Sequence, residues 1–219
     1  MEESEIQLKV CCMKSLDEVL LAHQYGAHAV GLVGEMPSGP GMISDDQAKA
    51  LAAAAPPDLE TFLLSSRTTA ESISAHVDYC KPSTVQIVWH VDTAVHEELA
   101  RTHLVRRVQV IHVEDESAIE LAQTYAPVVD ALLLDSGKPS AQTIELGGTG
   151  RTHDWSLSRE IVNSVSVPVY LAGGLNPDNI RAAVDAVDPY GVDLCTGVRT
   201  NGVLDQEKLA AFTKGLFDF

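Results

Sequence analysis

Short apolar runs alternate with amphipathic stretches along the chain, and the alternation repeats eight times. In the first run, residues 6–11, Ile6, Leu8 and Val10 fall on one side and Gln7, Lys9 and Cys11 on the other, the period of two of a strand. The same alternation continued by one residue turns Cys12 outward. Ser15 then caps a helix that runs to about Tyr25, with Asp17 and Glu18 in the first turn, where the helix dipole favours acids. Gly26 ends it. Further strands are predicted at 28–34, 59–64, 84–88, 105–112, 128–135, 167–171 and 190–194. Helices are predicted at 44–56, opened by the capping-box pattern Ser44-Asp45-Asp46-Gln47, and at 69–80, 93–101, 114–125, 155–163 and 205–216. One more starts after the seventh strand, with Asn176 as cap and Pro177 at its first position.

Eight strands in strict alternation with eight helices are more than a doubly wound open sheet usually contains. In 219 residues they fit a single α/β domain over 1–219, a (β/α)8 barrel of the TIM type. There is no linker or low-complexity segment.

Composition narrows the partners. Apolar residues make up 45%, enough for a full core. The formal charge of −16, from 31 acidic and 15 basic residues, argues against nucleic acid or an anionic membrane surface. No apolar run approaches the roughly 20 residues of a membrane span, and Met-Glu-Glu-Ser-Glu is unlike a signal peptide. The four cysteines, Cys11, Cys12, Cys80 and Cys195, form no C-x-x-C, and the eight histidines show no two-His metal spacing. A cytoplasmic protein with free thiols and no metal is expected.

In such a barrel the residues after each strand meet at one face. They are Cys11, Arg67, Trp89, His90, His112, Asp135, Gly173, Gly174, Thr196, Gly197 and Arg199. The run at 128–135 ends on the carboxylate Asp135, which is costly at the end of a buried strand unless it is used. By itself Asp135 is equally a turn-former, but as the sixth strand end, facing Cys11, it reads as an acid. Cys11 reads as its base, near Lys9, or else as a small buried apolar side chain. Ala172-Gly173-Gly174-Leu175 before Asn176, and Thr196-Gly197-Val198, are the loops after strands 7 and 8 that recurrently hold phosphate in barrels. Gly173, Gly174, Asn176, Thr196 and Gly197 are therefore the phosphate candidates, although Gly173–Gly174 is also simply a tight turn. The Gly147–Gly150 loop, with Gly148, reads as a cover anchored at its far end by Asp154. His112, at a strand end, is the better site candidate among the histidines.

The segments Lys9-Val10-Cys11, Asp130 to Ser136, Gly147 to Gly150, Asp154-Trp155, Leu171 to Asn179, Pro189 to Asp193 and Gly197-Val198 together resemble the phosphoribosylanthranilate isomerase family. The resemblance implies a cofactor-free barrel of tryptophan biosynthesis that carries out an Amadori rearrangement. It implies Cys11 as general base, Asp135 as general acid and phosphate on the backbones of the last two loops. Lys9, Arg67, Gln86, His112, Gly148, Asp154 and Arg199 are the expected substrate contacts.

The sequence departs from the family where the aglycone would sit. After strand 2 the family reads Pro-Lys-Ser-Pro-Arg, and its Arg is expected to meet the anthranilate carboxylate; here Gly41 stands in its place. Gln86-Ile87-Val88-Trp89 stands for Gln-Leu-His-Gly, His112 for a basic residue, and Arg199 for a Glu. Two readings follow. Either Arg67 or Arg199 takes the carboxylate, or the substrate is a different phosphorylated amino-sugar. A non-catalytic barrel binding a phosphorylated metabolite is the alternative from another class. The Ala-rich second helix and Phe212, Phe217 and Phe219 suit either a homodimer patch or the packing of a monomer's outer ring.

Overall fold

The computed structural model describes residues 6–137 and 152–217. Eight parallel strands close into a barrel in chain order: β1 Gln7–Val10, β2 Ala29–Val33, β3 Glu60–Ser65, β4 Thr84–Ile87, β5 Arg106–His112, β6 Ala131–Asp135, β7 Val169–Leu171 and β8 Gly191–Leu194. β8 pairs back onto β1, with Val10 opposite Leu194. The helices α1 Leu16–Gln24, α2 Asp45–Ala54, α3 Ala70–Cys80, α4 Thr93–Thr102, α5 Ser117–Tyr125, α6 Trp155–Ser164, α7 Ile180–Val187 and α8 Gln206–Phe217 follow the strands in turn. This is the (β/α)8 barrel expected from the hydrophobic pattern.

A parallel strand is covered on both faces, so its sequence is nearly all apolar. β6 is the clearest case, buried at every position. Leu132 and Leu134 point outward into the layer shared with helix residues such as Val19, Ala22, Ile161, Ile180 and Phe212. Ala131 and Leu133 point inward to Phe62, Val108, Val110 and Tyr170. The Phe62 and Tyr170 rings meet edge to face at 5.9 Å. The period of two then sends Asp135, the next inward position, to the carboxyl end of the barrel interior.

The helix starts follow the capping chemistry. Ser15 accepts from the Glu18 N–H and Ser44 from the Gln47 N–H. Asp154 accepts from the Ser156 N–H at 2.8 Å, as an N-cap should. The expected start of α7 needs correction. The Asn176 side chain accepts from the Asp178 N–H and donates to the Gly174 carbonyl, making a local turn instead of a cap. The helix begins later, at Ile180, with Asn179 at its cap position.

A second correction concerns Cys12. Its φ of 71° is left-handed, which breaks the strand alternation and brings its side chain to the barrel mouth rather than to the helices. Beyond β8, a two-stranded hairpin, β9 Arg199–Thr200 with β10 Val203–Leu204, comes before α8 and was not foreseen. Among the described residues no helix is long and apolar enough to cross a membrane.

Candidate active site

A cavity opens where the strands end. Cys11, Gln86, Asp135, Gly173, Gly174 and Thr196 line it, so six of the residues singled out from the sequence share one space. Its remaining wall is largely apolar and includes Met36, Pro40, Leu64, Val88, Val110 and Leu133.

Burial sets the chemistry of the polar groups. Asp135 accepts from the Ser136 N–H at 2.8 Å. Loss of solvation pushes its carboxyl up to about 6, against the pull of that hydrogen bond and of Lys9. A proton is therefore available on this acid close to neutrality.

Lys9 is wholly buried inside the barrel, with Nζ 2.7 Å from Asp193 Oδ2 and 5.3 Å from the centre of the Phe62 ring. Burial opposes its charge. Asp193 and then Cys11 outweigh that, and the ammonium is held above its ordinary range. Lys9 is thus an internal positive charge within the field of both Cys11 and Asp135. Gln86 Oε1 and Asp193 Oδ1 are buried and have no hydrogen-bond partner among the described residues. Both residues line the cavity, so both atoms are acceptors a ligand hydroxyl can satisfy.

The loops after β7 and β8 are built on each other. Gly173, with φ +85°, lies where an added Cβ would come within 2.9 Å of Ser136 Cβ. Gly174 also has positive φ. At Gly197 an added Cβ would collide with the Leu175 carbonyl oxygen. Only glycine lets the backbones approach this closely. Gly173, Gly174 and Thr196 line the cavity, whereas Gly197 and Asn176 stand behind it, holding the loop in shape.

Lys9 is fully buried and is not a lining residue, and four further expected substrate contacts are placed elsewhere. Arg67 turns outward, with Nη2 3.0 Å from Asp45 Oδ2 and Nη1 donating to the Ser72 carbonyl at 3.2 Å. Arg199 is buried behind β1. Its Nη1 lies 2.9 Å from Glu18 Oε1, and its Nη2 donates to the carbonyls of Cys11 and Cys12 at 3.1 and 2.7 Å. Asp154 is occupied as the α6 cap. His112 is buried beside His90, with ring centres 5.4 Å apart, and is not a lining residue. Gly148 and the rest of the Gly147–Gly150 cover lie outside the described residues. Near Arg67, possible ligand atoms of Asp45, His76 and Cys80 fall within 4.8 Å of one another, a grouping that histidine spacing alone does not reveal. His76 is hydrogen-bonded there to Ser65 at 3.0 Å and to Asp45 at 3.2 Å.

Cys12, Asp193 and Cys195 also line the cavity and were not singled out. Asp193 carried a legible signal, a carboxylate inside a short buried strand.

A closed barrel with a thiol, a raised carboxylic acid and paired glycine loops at its carboxyl end places the chain among the (β/α)8-barrel enzymes. Comparison with known proteins narrows this. The family model described as N-(5'-phosphoribosyl)anthranilate (PRA) isomerase matches residues 8–215, and the chain belongs to that family. It is similar to the N-(5'-phosphoribosyl)anthranilate isomerase of Haloferax volcanii, 38% identical over 213 residues, covering 94% of this chain and 90% of the relative. The Methanocella arvoryzae isomerase is 35% identical over 194 residues, 88% of each chain. Among solved structures, the Thermotoga maritima enzyme superposes with a TM-score of 0.84 at 27% identity, covering 98% of this chain and 100% of that one. A phosphoribosyl anthranilate isomerase in complex with reduced 1-(o-carboxyphenylamino)-1-deoxyribulose 5-phosphate gives a TM-score of 0.81 at 26% identity, covering 98% and 100%.

Proposed function

We propose that this chain converts N-(5'-phosphoribosyl)anthranilate to the corresponding 1-amino-1-deoxyribulose phosphate, a step of tryptophan biosynthesis, with Asp135 as general acid and Cys11 as general base. The observation that carries the reading is the cavity shared by Cys11 and Asp135, with the carboxyl raised to about 6. Asp135 gives its proton to the furanose ring oxygen as the C1'–O bond breaks and the nitrogen lone pair forms an iminium. The Cys11 thiolate then takes the C2' proton, and its C–H electrons neutralise the iminium to an enolamine. The enolamine tautomerises to the ketose. No atom is gained or lost.

The internal Lys9 ammonium places a fixed positive charge in the field of Cys11. Gln86 Oε1 and Asp193 Oδ1 accept from sugar hydroxyls, and the Gly173–Gly174 and Thr196–Gly197 loops hold the phosphate. The wall of Met36, Pro40, Leu64 and Val88 suits an aromatic ring. Neither Arg67 nor Arg199 lines the cavity, so the geometry gives no support to either as the carboxylate partner.

The test is direct. Purified protein mixed with freshly generated phosphoribosylanthranilate should consume it, seen as loss of anthranilate-conjugate fluorescence. No turnover of that substrate, with turnover of another phosphorylated amino-sugar, would move the assignment to the second.

A further inference from the structure

Helix α3 buries Ile73, His76, Val77 and Cys80, positions spaced to share one face of a helix. Ile73 and Val77 pack with Val85 and Ile87 of β4. His76 and Cys80, one turn apart, meet the start of α2. His76 Nε2 lies 3.2 Å from Asp45 Oδ1, and the Cys80 thiol donates to the Asp45 backbone carbonyl at 3.7 Å. One ligand atom from each of Asp45, His76 and Cys80 falls within 4.8 Å of the other two, the only such group of three among the described residues. A carboxylate oxygen, an imidazole nitrogen and a thiol sulfur are donors that zinc takes, and a tetrahedral zinc with bonds of about 2.0–2.3 Å sets them about 3.4–3.8 Å apart. The Asp45–His76 separation is already close to that spacing, and Cys80 has to close in by about 1 Å at most.

The groups around the three hold them in place. Ser65, buried at the end of β3, has its hydroxyl 3.0 Å from His76 Nδ1. The imidazole also rests on Gly34, where an added Cβ would come within 2.9 Å of His76 Cε1. A hydroxyl both donates and accepts, so Ser65 can accept from Nδ1–H and leave the Nε2 lone pair for a cation. A hydrogen bond on the second ring nitrogen is the usual support of a metal-ligating histidine. Arg67 Nη2 holds Asp45 Oδ2 at 3.0 Å, which leaves Oδ1. Asp46, paired with the Tyr79 hydroxyl, adds a second carboxylate on the same turn and offsets the Arg67 charge. The Asp45 side chain is 36% exposed, so a cation reaches the group from solvent.

We propose that Asp45 Oδ1, His76 Nε2 and Cys80 Sγ form a zinc site that pins the start of α2 to α3, with water in the fourth position. Burial and then Asp45 push the Cys80 thiol up to about 11, so the sulfur carries its proton until a cation displaces it. That proton goes to solvent as the Zn–S bond forms, as coordination of a thiol requires. His76 keeps one proton, on Nδ1, and Asp45 stays ionised. One proton is released per zinc, and no electron is transferred. None of the three residues lines the cavity of Cys11 and Asp135, so the site stands or falls independently of the isomerase reading.

The experiment dialyses chelator-treated, reduced full-length protein against Zn2+ and, in parallel, against Co2+ as a spectroscopic probe. The expected result is one equivalent of metal per chain, a thiolate-to-cobalt charge-transfer band in the near ultraviolet, and a zinc-dependent rise in Tm. Cys80→Ser should remove the band. Asp45→Asn should weaken binding at least about tenfold, and Ser65→Ala by about 10- to 100-fold through the histidine it supports. Cys11, Cys12 and Cys195 offer other thiols, so a variant combining Cys11→Ser, Cys12→Ser and Cys195→Ser is read alongside and should keep the band. Circular dichroism of each metal-free variant shows whether it folds. If Cys80→Ser does not, the affinities of Asp45→Asn and Ser65→Ala decide. No metal bound at micromolar Zn2+, a band that survives Cys80→Ser, a band lost in the triple variant, or unchanged affinity in Asp45→Asn overturns the proposal.

Discussion

Arg199 Nη1 lies 2.9 Å from Glu18 Oε1, joining two residues 181 positions apart and tying the β9–β10 hairpin to the first turn of α1. Glu18 also accepts from the N–H groups of Lys14 and Leu204, each at 2.9 Å. Removing one partner of such a buried pair strands the other charge, at a cost of about 3–5 kcal/mol. Arg199→Ala should lose stability on that scale in chemical denaturation. Burial opposes the charge on Glu18, but the bond from Arg199 and the two N–H groups hold its carboxyl below the usual range. The pair's contribution is therefore present above the unfolded-state value and is lost as pH falls through the lowered folded one. The wild type should lose stability in acid more steeply than Arg199→Ala.

Gly41 and Cys12 are coupled sterically. Gly41 has φ +84°, and a Cβ added there would collide with the Cys12 side chain. Gly41→Ala should cost about 2 kcal/mol or more, combining backbone strain with that collision. In a Cys12→Gly background the side-chain collision is gone, leaving only the close approach to the residue-12 Cα at 3.0 Å, and the strained Cys12 φ is relaxed. The double variant should therefore be more stable than the two single losses add up to, by about 1 kcal/mol. Strict additivity in a double-mutant cycle would show that the two positions do not compete for space. The same collision predicts that an arginine substituted at Gly41 would strain this turn.

Asp135 links pH to both stability and rate. Burial raises its folded value to about 6 from an ordinary 3.8. The folded state therefore holds the proton more tightly, and stability falls as pH rises from about 4 to about 6, then levels. The shift of roughly two units corresponds to about 3 kcal/mol. Asp135→Asn should lack this fall. The acid form also drains away above pH 6, so kcat/KM should decline on the alkaline side with an apparent value near 6. Denaturation curves and pH–rate profiles measured from pH 4 to 9 check both limbs.

The barrel was legible because each parallel strand is buried on both faces and so reads as an apolar run. Asp135 was legible because its charge interrupts such a run at the last inward position. Cys12 was not, because a left-handed residue after β1 breaks the period of two on which its placement rested. Arg199 looked like a substrate contact because it follows β8, but its partner Glu18 lies on α1, where sequence proximity gives no hint. Arg67 was misplaced for the same reason, since Asp45 of α2 draws it outward. Asn176 follows a Gly-Gly and precedes a Pro, which suits a cap, yet its side chain closes a turn one step earlier.

In the proposed reaction Cys11 and Asp135 act as base and acid on a substrate held by the β7 and β8 loops. The most direct test is kcat for phosphoribosylanthranilate in Cys11→Ser and Asp135→Asn, with binding of a reduced product analogue measured alongside. Each variant should lose roughly 100- to 10,000-fold in kcat while binding the analogue within about threefold of the wild type, a difference of about 0.65 kcal/mol. Either variant retaining more than about a tenth of wild-type kcat, a loss of less than about 1.4 kcal/mol in barrier, would contradict the assignment.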